Sequence, residues 1–401
     1  MARLRRFRAG DSGQESALPE EALTVERLHR LETVRERAWM LLAAVERGQS
    51  EHFDLSPESV ATVALALAAS IRETAADLRP PLATLWPRLQ RDHPDAVTAL
   101  AASVAGLDGR GRAGAGADLA LLALVMAPVG DDPATGVLAR FFAAGGTATR
   151  PADGPALNAP GLRRLLAGDS AVAVPEALEP ALRDPDTRQR LETLAAGLEQ
   201  DPETFGSDGR FARLLDRLPP AAPGAPLEAQ TLVDRLAPLL DPVAGSTVRI
   251  GGSLAGDIWR HPLAWADDRS RELVPFHCLL QALALDLVEP LAEADMPLAG
   301  LEELTVPATR GLAADILRLG LVLPRHAAVA RLRHPPGSDI VVELRALSIA
   351  LADRLVDRLR QELNLTVRDL PAVRIVGPLA QLAAKWRDPP GPGIAITGGC
   401  F

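Results

Sequence analysis

Alanine and leucine dominate the apolar part of this chain, whereas aromatic residues are scarce. Apolar residues make up 47% of the 401 positions, but the chain has only 5 Trp, 8 Phe and no Tyr. Ala and Leu are strong helix formers, and the Arg and Glu that supply much of the charge also favour helices. Because aromatic residues favour strands, their shortage weakens any β prediction. The sequence therefore predicts a mainly α fold, a multi-helix globular protein with minor short strands.

Apolar residues recur at helical spacing in several stretches, and capping residues mark where some of them begin. The first stretch starts at Thr24, keeps one apolar face and is predicted to end near Gly48. Ser56 and Pro57 form an N-cap and first-turn signature for the next helix. Further helices are predicted at 60–78, 95–107, 187–198, 227–240, 314–323 and 341–363, with a short strand near 246–251.

Glycine and proline divide the chain into segments. Residues 1–20 carry Gly, Ser and charge without periodicity and are predicted to be a disordered arm. The Pro-Pro-Ala-Ala-Pro-Gly-Ala-Pro run at 219–226 predicts a boundary between an N-terminal helical subdomain, 21–218, and a C-terminal one, 227–401, that carries the pocket. The closely spaced glycines of 106–116 predict a flexible loop. This loop is not expected to bind a nucleotide, because it lacks the Gly-Lys-Ser/Thr ending and the preceding strand of a phosphate-binding loop.

The charge balance excludes several classes of partner. A net charge of −9 and a pI near 5.4 argue against a nucleic-acid-binding protein or one that coats an anionic membrane. No apolar run is long enough to span a membrane, and the N-terminus lacks the apolar core of a signal peptide. We therefore expect a cytoplasmic protein with neither nucleic acid nor membrane as a partner; its oligomeric state stays open.

The two cysteines, Cys278 and Cys400, form no metal-ligand spacing with each other or with histidine. A disulfide between them is not expected in a reducing compartment. The sequence thus predicts no metal site and no cofactor.

One 35-residue stretch, 256–290, gathers residue types that the chain otherwise hardly uses. The chain has only 7 His, 5 Trp and 2 Cys, yet several fall here. The notable residues are Asp257, Trp259, Arg260, His261, Trp265, Phe276, His277 and Cys278. This density points to a functional site.

The second half of this stretch is predicted to be a helix that begins at Pro275. A proline is tolerated in the first turn, and apolar residues then recur at helical spacing from Phe276 to Val288. His277 and Gln281 lie four residues apart and would share one flank of this helix. Both are candidate substrate-binding residues, as is Phe276.

The first half, Gly-Asp-Ile-Trp-Arg-His-Pro at 256–262, is predicted to be a loop or short turn lying over the start of the helix. Arg260 and His261 next to a helix N-terminus would suit a phosphate or another anion. Structural explanations compete with these roles. Trp259 alone is typical of a packed core, either His is often a structural residue, and Asp257 suits a cap or turn.

Several strings along the chain resemble one known family. In order they are GDIWRHP, LVPFHCLLQALALDLVEPL, LEELTVPATRG, HPPGSDIVVELRAL and the terminal GIAITGGCF. Together they resemble the uracil-catabolism family known as the Urc-four or Urg-three proteins. The chain is also similar, more distantly, to the helical queuosine nucleotide N-glycosylases.

The resemblance implies a role in pyrimidine degradation after ring opening. It implies hydrolysis of the N-glycosidic bond of a ribosylurea or nucleotide-like small molecule. Such a reaction needs a carboxyl group, a flat aromatic side chain and cationic or N–H groups for a phosphate. The predicted pocket lies between 256–290, 305–320 and the C-terminal tail. The residues predicted for it are Asp315 and Asp257 as catalytic carboxylates, with Trp259, Arg260, His261, Phe276, His277, Gln281, Arg310 and Phe401 binding substrate.

The chain departs from the family pattern at important positions. Where relatives carry Pro-Glu-Tyr-Arg-Asn-Gly-Gly, this chain has Pro-Ala-Thr-Arg-Gly at 307–311, so Ala308 replaces the Glu. The family string His-Ser-Arg-Trp-Arg-His-Phe is reduced to Thr-Leu-Trp-Pro-Arg at 84–88. Asp315 has a structural explanation as well, as a surface helix residue paired with Arg310 or Arg318. The alternative function is therefore a catalytically degenerate ligand-binding or scaffold protein.

Overall fold

The computed structural model describes residues 20–126, 134–149, 154–170, 172–218, 225–386 and 393–397. Most of these residues are helical, which confirms the prediction of a mainly α fold. The helices of the first half are α1 (Glu20–His29), α2 (Leu31–Glu46), α3 (Pro57–Thr74), α4 (Leu85–Asp92), α5 (Pro94–Ser103), α6 (Gly109–Met126), α7 (Thr135–Ala143), α8 (Ala159–Ala167), α9 (Glu179–Arg183), α10 (Pro185–Gln200) and α11 (Pro202–Phe205). Those of the second half are α12 (Ala229–Leu240), α13 (Cys278–Asp286), α14 (Val288–Glu293), α15 (Arg310–Arg318), α16 (Ala327–Arg331), α17 (Asp339–Leu363) and α18 (Val376–Lys385). Short 3₁₀ turns occur at Glu176–Leu178, Phe211–Asp216, Pro242–Ala244 and Ala372–Ile375.

The strands in the described part are two or three residues long and pair only two by two. They are β1 (Phe53–Leu55), β2 (Leu227–Glu228), β3 (Arg249–Ile250), β4 (Ser253–Leu254), β5 (Ile258–Arg260), β6 (Leu273–Pro275), β7 (Leu298–Ala299), β8 (Val322–Pro324), β9 (Arg333–His334) and β10 (Ala395–Ile396). The pairs β1–β8, β3–β4 and β5–β6 are antiparallel, whereas β2–β7 and β9–β10 are parallel. These pairs join distant parts of the chain, but they do not form a larger sheet.

The single helix predicted from Thr24 to Gly48 is in fact two helices. Arg30 has extended backbone angles and separates α1 from α2. The amide of Leu31 donates to the side-chain carbonyl of Gln230, 2.9 Å away on α12. The same side chain donates to the carbonyl oxygen of His29 at 3.2 Å. This distant glutamine supplies hydrogen-bond partners to two backbone groups at the break, so the end of the helix does not leave them unpaired.

The prediction of a flexible loop at 106–116 is wrong for most of its length, because α6 begins at Gly109. The glycines allow this helix to pack closely against its neighbours. A Cβ at Gly114 would lie 3.2 Å from the Cβ of Ala212, and one at Gly116 would lie 3.1 Å from Cγ of Pro290. Tertiary packing therefore offsets the low helix propensity of glycine here.

The local structure of 256–290 also differs from the prediction. The predicted loop contains β5, which pairs with β6, and Pro275 is the last residue of β6 rather than part of a helix. Helix α13 starts only at Cys278, so Phe276 and His277 precede it. His277 has left-handed backbone angles, φ 47° and ψ 43°. The carboxylate of Asp257 accepts the amide of Cys278 at 3.0 Å and thereby fixes where the helix begins.

Two large apolar clusters form the core. The first contains buried residues of α6, α10, α12 and α13. The second surrounds α17 and contains the buried faces of α2, α3, α15 and α18. The division of the chain at 219–226 stays a prediction, since 219–224 lie outside the described residues, as do 1–19 of the predicted arm. In the part that the structure describes, every helix is too short or too polar to cross a bilayer.

Candidate functional site

Asp257 lies at the centre of a buried ion pair. Its carboxylate accepts two hydrogen bonds from the guanidinium of Arg345, at 3.0 and 2.7 Å. It also accepts the indole N–H of Trp259 at 2.7 Å and the amide of Cys278 at 3.0 Å. Burial by itself would raise the pKa of Asp257, but the charge and hydrogen bonds of Arg345 outweigh it and the pKa is lowered. A carboxylate so fully bonded is suited to holding structure rather than to transferring protons.

Arg345 extends this cluster to two further segments. Its guanidinium carbon lies 4.0 Å from the centre of the Phe276 ring, a cation–π contact. Its Nε donates to the backbone oxygen of Ala308 at 3.3 Å. The ion pair thus connects α17 to the 256–278 segment and to the position where the family pattern has a Glu. Of the predicted site residues, the structure brings Asp257, Trp259 and Phe276 together here.

His261 lies in a separate buried contact with Glu343. Its Nε2 is 3.4 Å from Glu343 Oε2 but is too poorly aligned for a hydrogen bond. Its Nδ1 accepts the amide of Leu263 at 3.2 Å. The other oxygen of Glu343 accepts the hydroxyl of Ser50 at 2.5 Å. The side chains of His261 and Glu343 are only 2% and 1% exposed, so their contact joins two segments inside the protein.

Gln281 and His277 are also buried among protein groups. The Gln281 amide accepts the backbone N–H of Thr305 at 2.8 Å and donates to the carbonyl oxygen of Phe276 at 2.9 Å. His277 Nε2 lies 2.8 Å from the carbonyl oxygen of Leu28. These contacts join α13 to the segments at 28 and 305.

The remaining predicted residues lie nearer the surface. The side chain of Arg260 is 63% exposed and 3.9 Å from Glu272. Arg310 and Asp315 both lie on α15, the first exposed and the second half-buried. Phe401 lies outside the described residues. The nine predicted side chains that the structure describes therefore do not surround one common cavity.

A cavity does occur beside 256–290 and 305–320, two of the three segments that were predicted to enclose the pocket. It offers about 110 Å³ of space to water, enough for a small organic group. Segment 256–290 and segment 305–320 both contribute to it, and the other walls come from 82–88, from α6 and α7, and from 373–376. The residues that line it include Thr84, Leu85, Arg88, Ala282, Leu285, Asp286, Pro307, Thr309, Val373 and Val376.

Asp286 supplies the carboxyl group of this cavity. It is the last residue of α13, and its Oδ1 accepts the amide of Leu85 at 2.7 Å, which caps the start of α4. Burial raises the pKa of Asp286 to about 6, and the charge of Glu289 adds to this. The Leu85 amide and the charge of Arg88 act in the opposite direction. A carboxyl group that takes up and releases a proton near pH 6 can serve as a general acid or base.

Polar groups at the start of α4 and on α14 lie near this carboxyl, and the charges of Arg88 and Glu289 act on it. The Thr84 hydroxyl donates to Glu289 at 3.2 Å, and the Nε of Arg88 donates to the Thr84 carbonyl oxygen at 3.3 Å. Burial also raises the pKa of Glu289. Thr84 and Arg88 belong to the remnant of a family string, whereas Asp286 is not among the residues predicted from the sequence. The available signal was a lone acid at the end of a helix whose only other polar side chain is Gln281.

The fold and this cavity define a mainly α protein with a small pocket whose apolar wall carries a few polar groups. The chain belongs to the family described as a protein of unknown function (DUF1688), whose profile matches residues 137–384, more than half of its length. No curated protein matches the chain.

Proposed function

We propose that this protein hydrolyses the N-glycosidic bond of a ribosylurea or a nucleotide-like molecule, and that the substrate binds in the cavity beside Asp286. The observation that carries the proposal is the Asp286 carboxyl, whose pKa is about 6, in a cavity wall. The cavity lies between 282–286, 307–309 and 84–88. The first of these segments belongs to a string that resembles the uracil-catabolism proteins, and the other two keep only part of the family pattern. That resemblance supports the choice of reaction.

The proposed reaction uses Asp286 first as an acid and then as a base. The protonated carboxyl donates its proton to the leaving nitrogen while the bond between that nitrogen and ribose C1′ breaks. Water adds to C1′, and the Asp286 carboxylate accepts the proton that this water releases. Urea, or a base, and ribose are formed, and the carboxyl group returns to its protonated state.

Neighbouring groups suit the polar parts of such a substrate. The Thr84, Thr135 and Thr309 side chains line the cavity and can hydrogen-bond ribose hydroxyls or a ureide. Arg88 also lines it and brings the positive charge that a 5′-phosphate requires. Apolar side chains such as Leu285 and Val373 cover the remaining wall and limit access of water.

The experiment is an assay of urea or base released from ribosylurea, its 5′-phosphate and a panel of nucleotides. We expect Asp286→Asn to lower kcat by about 100-fold, the effect of removing a general acid. The matched control is Asp216→Asn, because Asp216 forms an exposed ion pair with Arg110. A third arm, Asp315→Asn, tests the carboxylate that the sequence favoured. Activity that survives in Asp286→Asn but is lost in Asp315→Asn would move the acid to α15.

The pH profile tests the same assignment independently. Because the proton donor is the protonated form of Asp286, kcat should fall as the pH rises through about 6. A profile that is flat between pH 5 and pH 7 contradicts a general acid at this position.

A second candidate function is ligand binding without catalysis. Ala308 favours it, because it is 1% exposed between two lining residues and carries a methyl group where the family pattern has Glu. In that case ureides or ribose phosphates raise the melting temperature through binding to the native state, while no product forms. Release of product only after Ala308→Glu supports this candidate over the first.

A further inference from the structure

Three side chains from distant parts of the chain meet between α1, α12 and α13. His29 is the last residue of α1, Asp241 follows α12, and His277 precedes α13. One nitrogen of each histidine and one carboxylate oxygen all lie within 4.8 Å of one another. The two imidazole rings stack with centroids 4.7 Å apart and planes 18° apart.

Backbone carbonyl groups determine which ring nitrogens carry hydrogen. His29 Nδ1 lies 2.9 Å from the carbonyl oxygen of Val25, and His277 Nε2 lies 2.8 Å from that of Leu28. A carbonyl oxygen only accepts, so both of these nitrogens must donate. In a neutral imidazole the opposite nitrogen then has a free lone pair. His29 Nε2 and His277 Nδ1 are those nitrogens.

The cluster contains buried polar atoms that the described residues leave without a hydrogen-bond partner. They are Nδ1 of His277, a residue that is 1% exposed, and Oδ1 of Asp241. Buried polar groups in proteins almost always have a hydrogen-bond partner. Two atoms without one in the same cluster therefore indicate a ligand. Gly256 leaves room for the carboxylate, since a Cβ there would lie 2.3 Å from Asp241 Oδ1.

We propose that His29, Asp241 and His277 bind a divalent transition-metal ion of the zinc class through His29 Nε2, His277 Nδ1 and an Asp241 carboxylate oxygen. Two imidazoles and a carboxylate are a donor set that zinc accepts at about 2.0–2.2 Å. The bonds from the opposite ring nitrogens to backbone carbonyls are the contacts that orient metal-binding histidines. Three protein ligands leave the fourth position of a tetrahedral ion to water.

The existing hydrogen bond shows what the ion replaces. His29 Nε2 lies 2.7 Å from Asp241 Oδ2, with a proton between them when His29 is charged. Burial works to lower the pKa of His29, but the hydrogen bond and charge of Asp241 outweigh it and the pKa is raised. The pKa of His277 is lowered by burial and by the charge of His29. An ion that binds here displaces the proton of His29, so binding releases a proton.

The site is independent of the proposed hydrolase. His277 precedes α13 and Asp286 ends it, and this nine-residue helix is roughly 13 Å long. Loss of glycosidase activity would therefore leave the metal proposal standing, and loss of metal binding would leave the Asp286 mechanism standing.

The test measures zinc binding by the full-length protein without an affinity tag. The protein is stripped with EDTA, dialysed against zinc chloride, and its metal content determined by elemental mass spectrometry. We expect one zinc ion per chain, and His277→Asn and His29→Gln should each weaken zinc binding by about 100-fold as a ligand is lost. Asn suits the left-handed backbone at position 277.

A control separates this site from adventitious surface binding. His52 and His326 line a shallow groove elsewhere on the protein, so the double variant His52→Asn/His326→Asn should keep its zinc. Cobalt(II) added to the wild-type protein should give the visible bands of a tetrahedral ion, a measurement that needs no variant. Failure of the wild-type protein to retain zinc or to give these bands overturns the proposal. The proposal is also overturned if the His52→Asn/His326→Asn variant loses its zinc while the His277→Asn variant keeps it.

Discussion

Arg345→Met is expected to lower the free energy of unfolding by about 3–5 kcal/mol, because it leaves the Asp257 carboxylate buried without its counter-ion. Arg345 and Asp257 have side chains that are 1% and 7% exposed, and two hydrogen bonds join them. Methionine preserves much of the apolar volume beside Phe276, so the loss reflects the charge rather than a cavity. Urea denaturation followed by circular dichroism measures it.

The matched control for Arg345→Met is the exposed pair of Arg163 and Glu199. Both side chains are about half exposed, at 44% and 46%. Arg163→Met should therefore change the free energy of unfolding by at most about 1 kcal/mol. Equal effects of the two substitutions would contradict the structural role given to Arg345.

The sign of the pH dependence follows from the lowered pKa of Asp257. A carboxyl whose pKa is lower in the folded state adds stability above its unfolded value of 3.8, and this stability is lost as the pH falls through the folded value. Without Arg345 the carboxyl prefers its neutral form. The stability gap between wild type and Arg345→Met should therefore narrow in acid.

Asp118→Ala is expected to lower the free energy of unfolding by about 3 kcal/mol, because three donors lose their acceptor. Asp118 is completely buried on α6. Its carboxylate accepts the amide of Leu157 at 3.1 Å, the amide of Ala212 at 2.8 Å and Nε of Arg210 at 3.0 Å. It thereby fixes two irregular segments against a core helix, and its removal should loosen both.

The loss in Asp118→Ala should be larger at pH 5 than at pH 8. Burial raises the pKa of Asp118 to about 6, although Arg210 and the two amides oppose it. A raised folded pKa gives stability that is complete below the unfolded value of 3.8 and is lost as the pH rises through about 6. Urea denaturation at both pH values measures this, with the exposed Asp216→Ala as control. A loss that is larger at pH 8 would contradict the raised pKa.

Local patterns in the sequence predicted much of the helical architecture. The predicted helix 341–363 corresponds to α17, Asp339–Leu363. The helix whose start Ser56 and Pro57 predict corresponds to α3. In both cases apolar periodicity and capping residues lie within the segment itself. Where one segment contains all the determining interactions, its sequence is enough.

Prediction failed where a distant residue decides the local structure. The break at Arg30 depends on Gln230, and the start of α13 depends on the carboxylate of Asp257, 21 residues earlier. Close packing against Pro290 keeps the glycine-rich start of α6 helical. None of these partners is visible in a window of neighbouring residues.

The candidate sites follow the same rule. The cavity acid, Asp286, meets Thr84 and Thr309 only through tertiary packing. His29, Asp241 and His277 have no recognisable spacing, since more than 200 residues separate His29 from Asp241. The sequence singled out the stretch 256–290 by its unusual composition, but the chemical roles of its residues depend on partners elsewhere in the chain.

The long helix α17 also has a consequence for how the chain is made. Helices α2 and α3 bury their apolar faces against α17, which ends at Leu363. Until α17 has been synthesised, the apolar faces of α2 and α3 therefore have no partner to pack against. Nascent chains in that state attract one another and are sequestered by chaperones. This part of the fold can therefore be completed only after Leu363 has emerged from the ribosome.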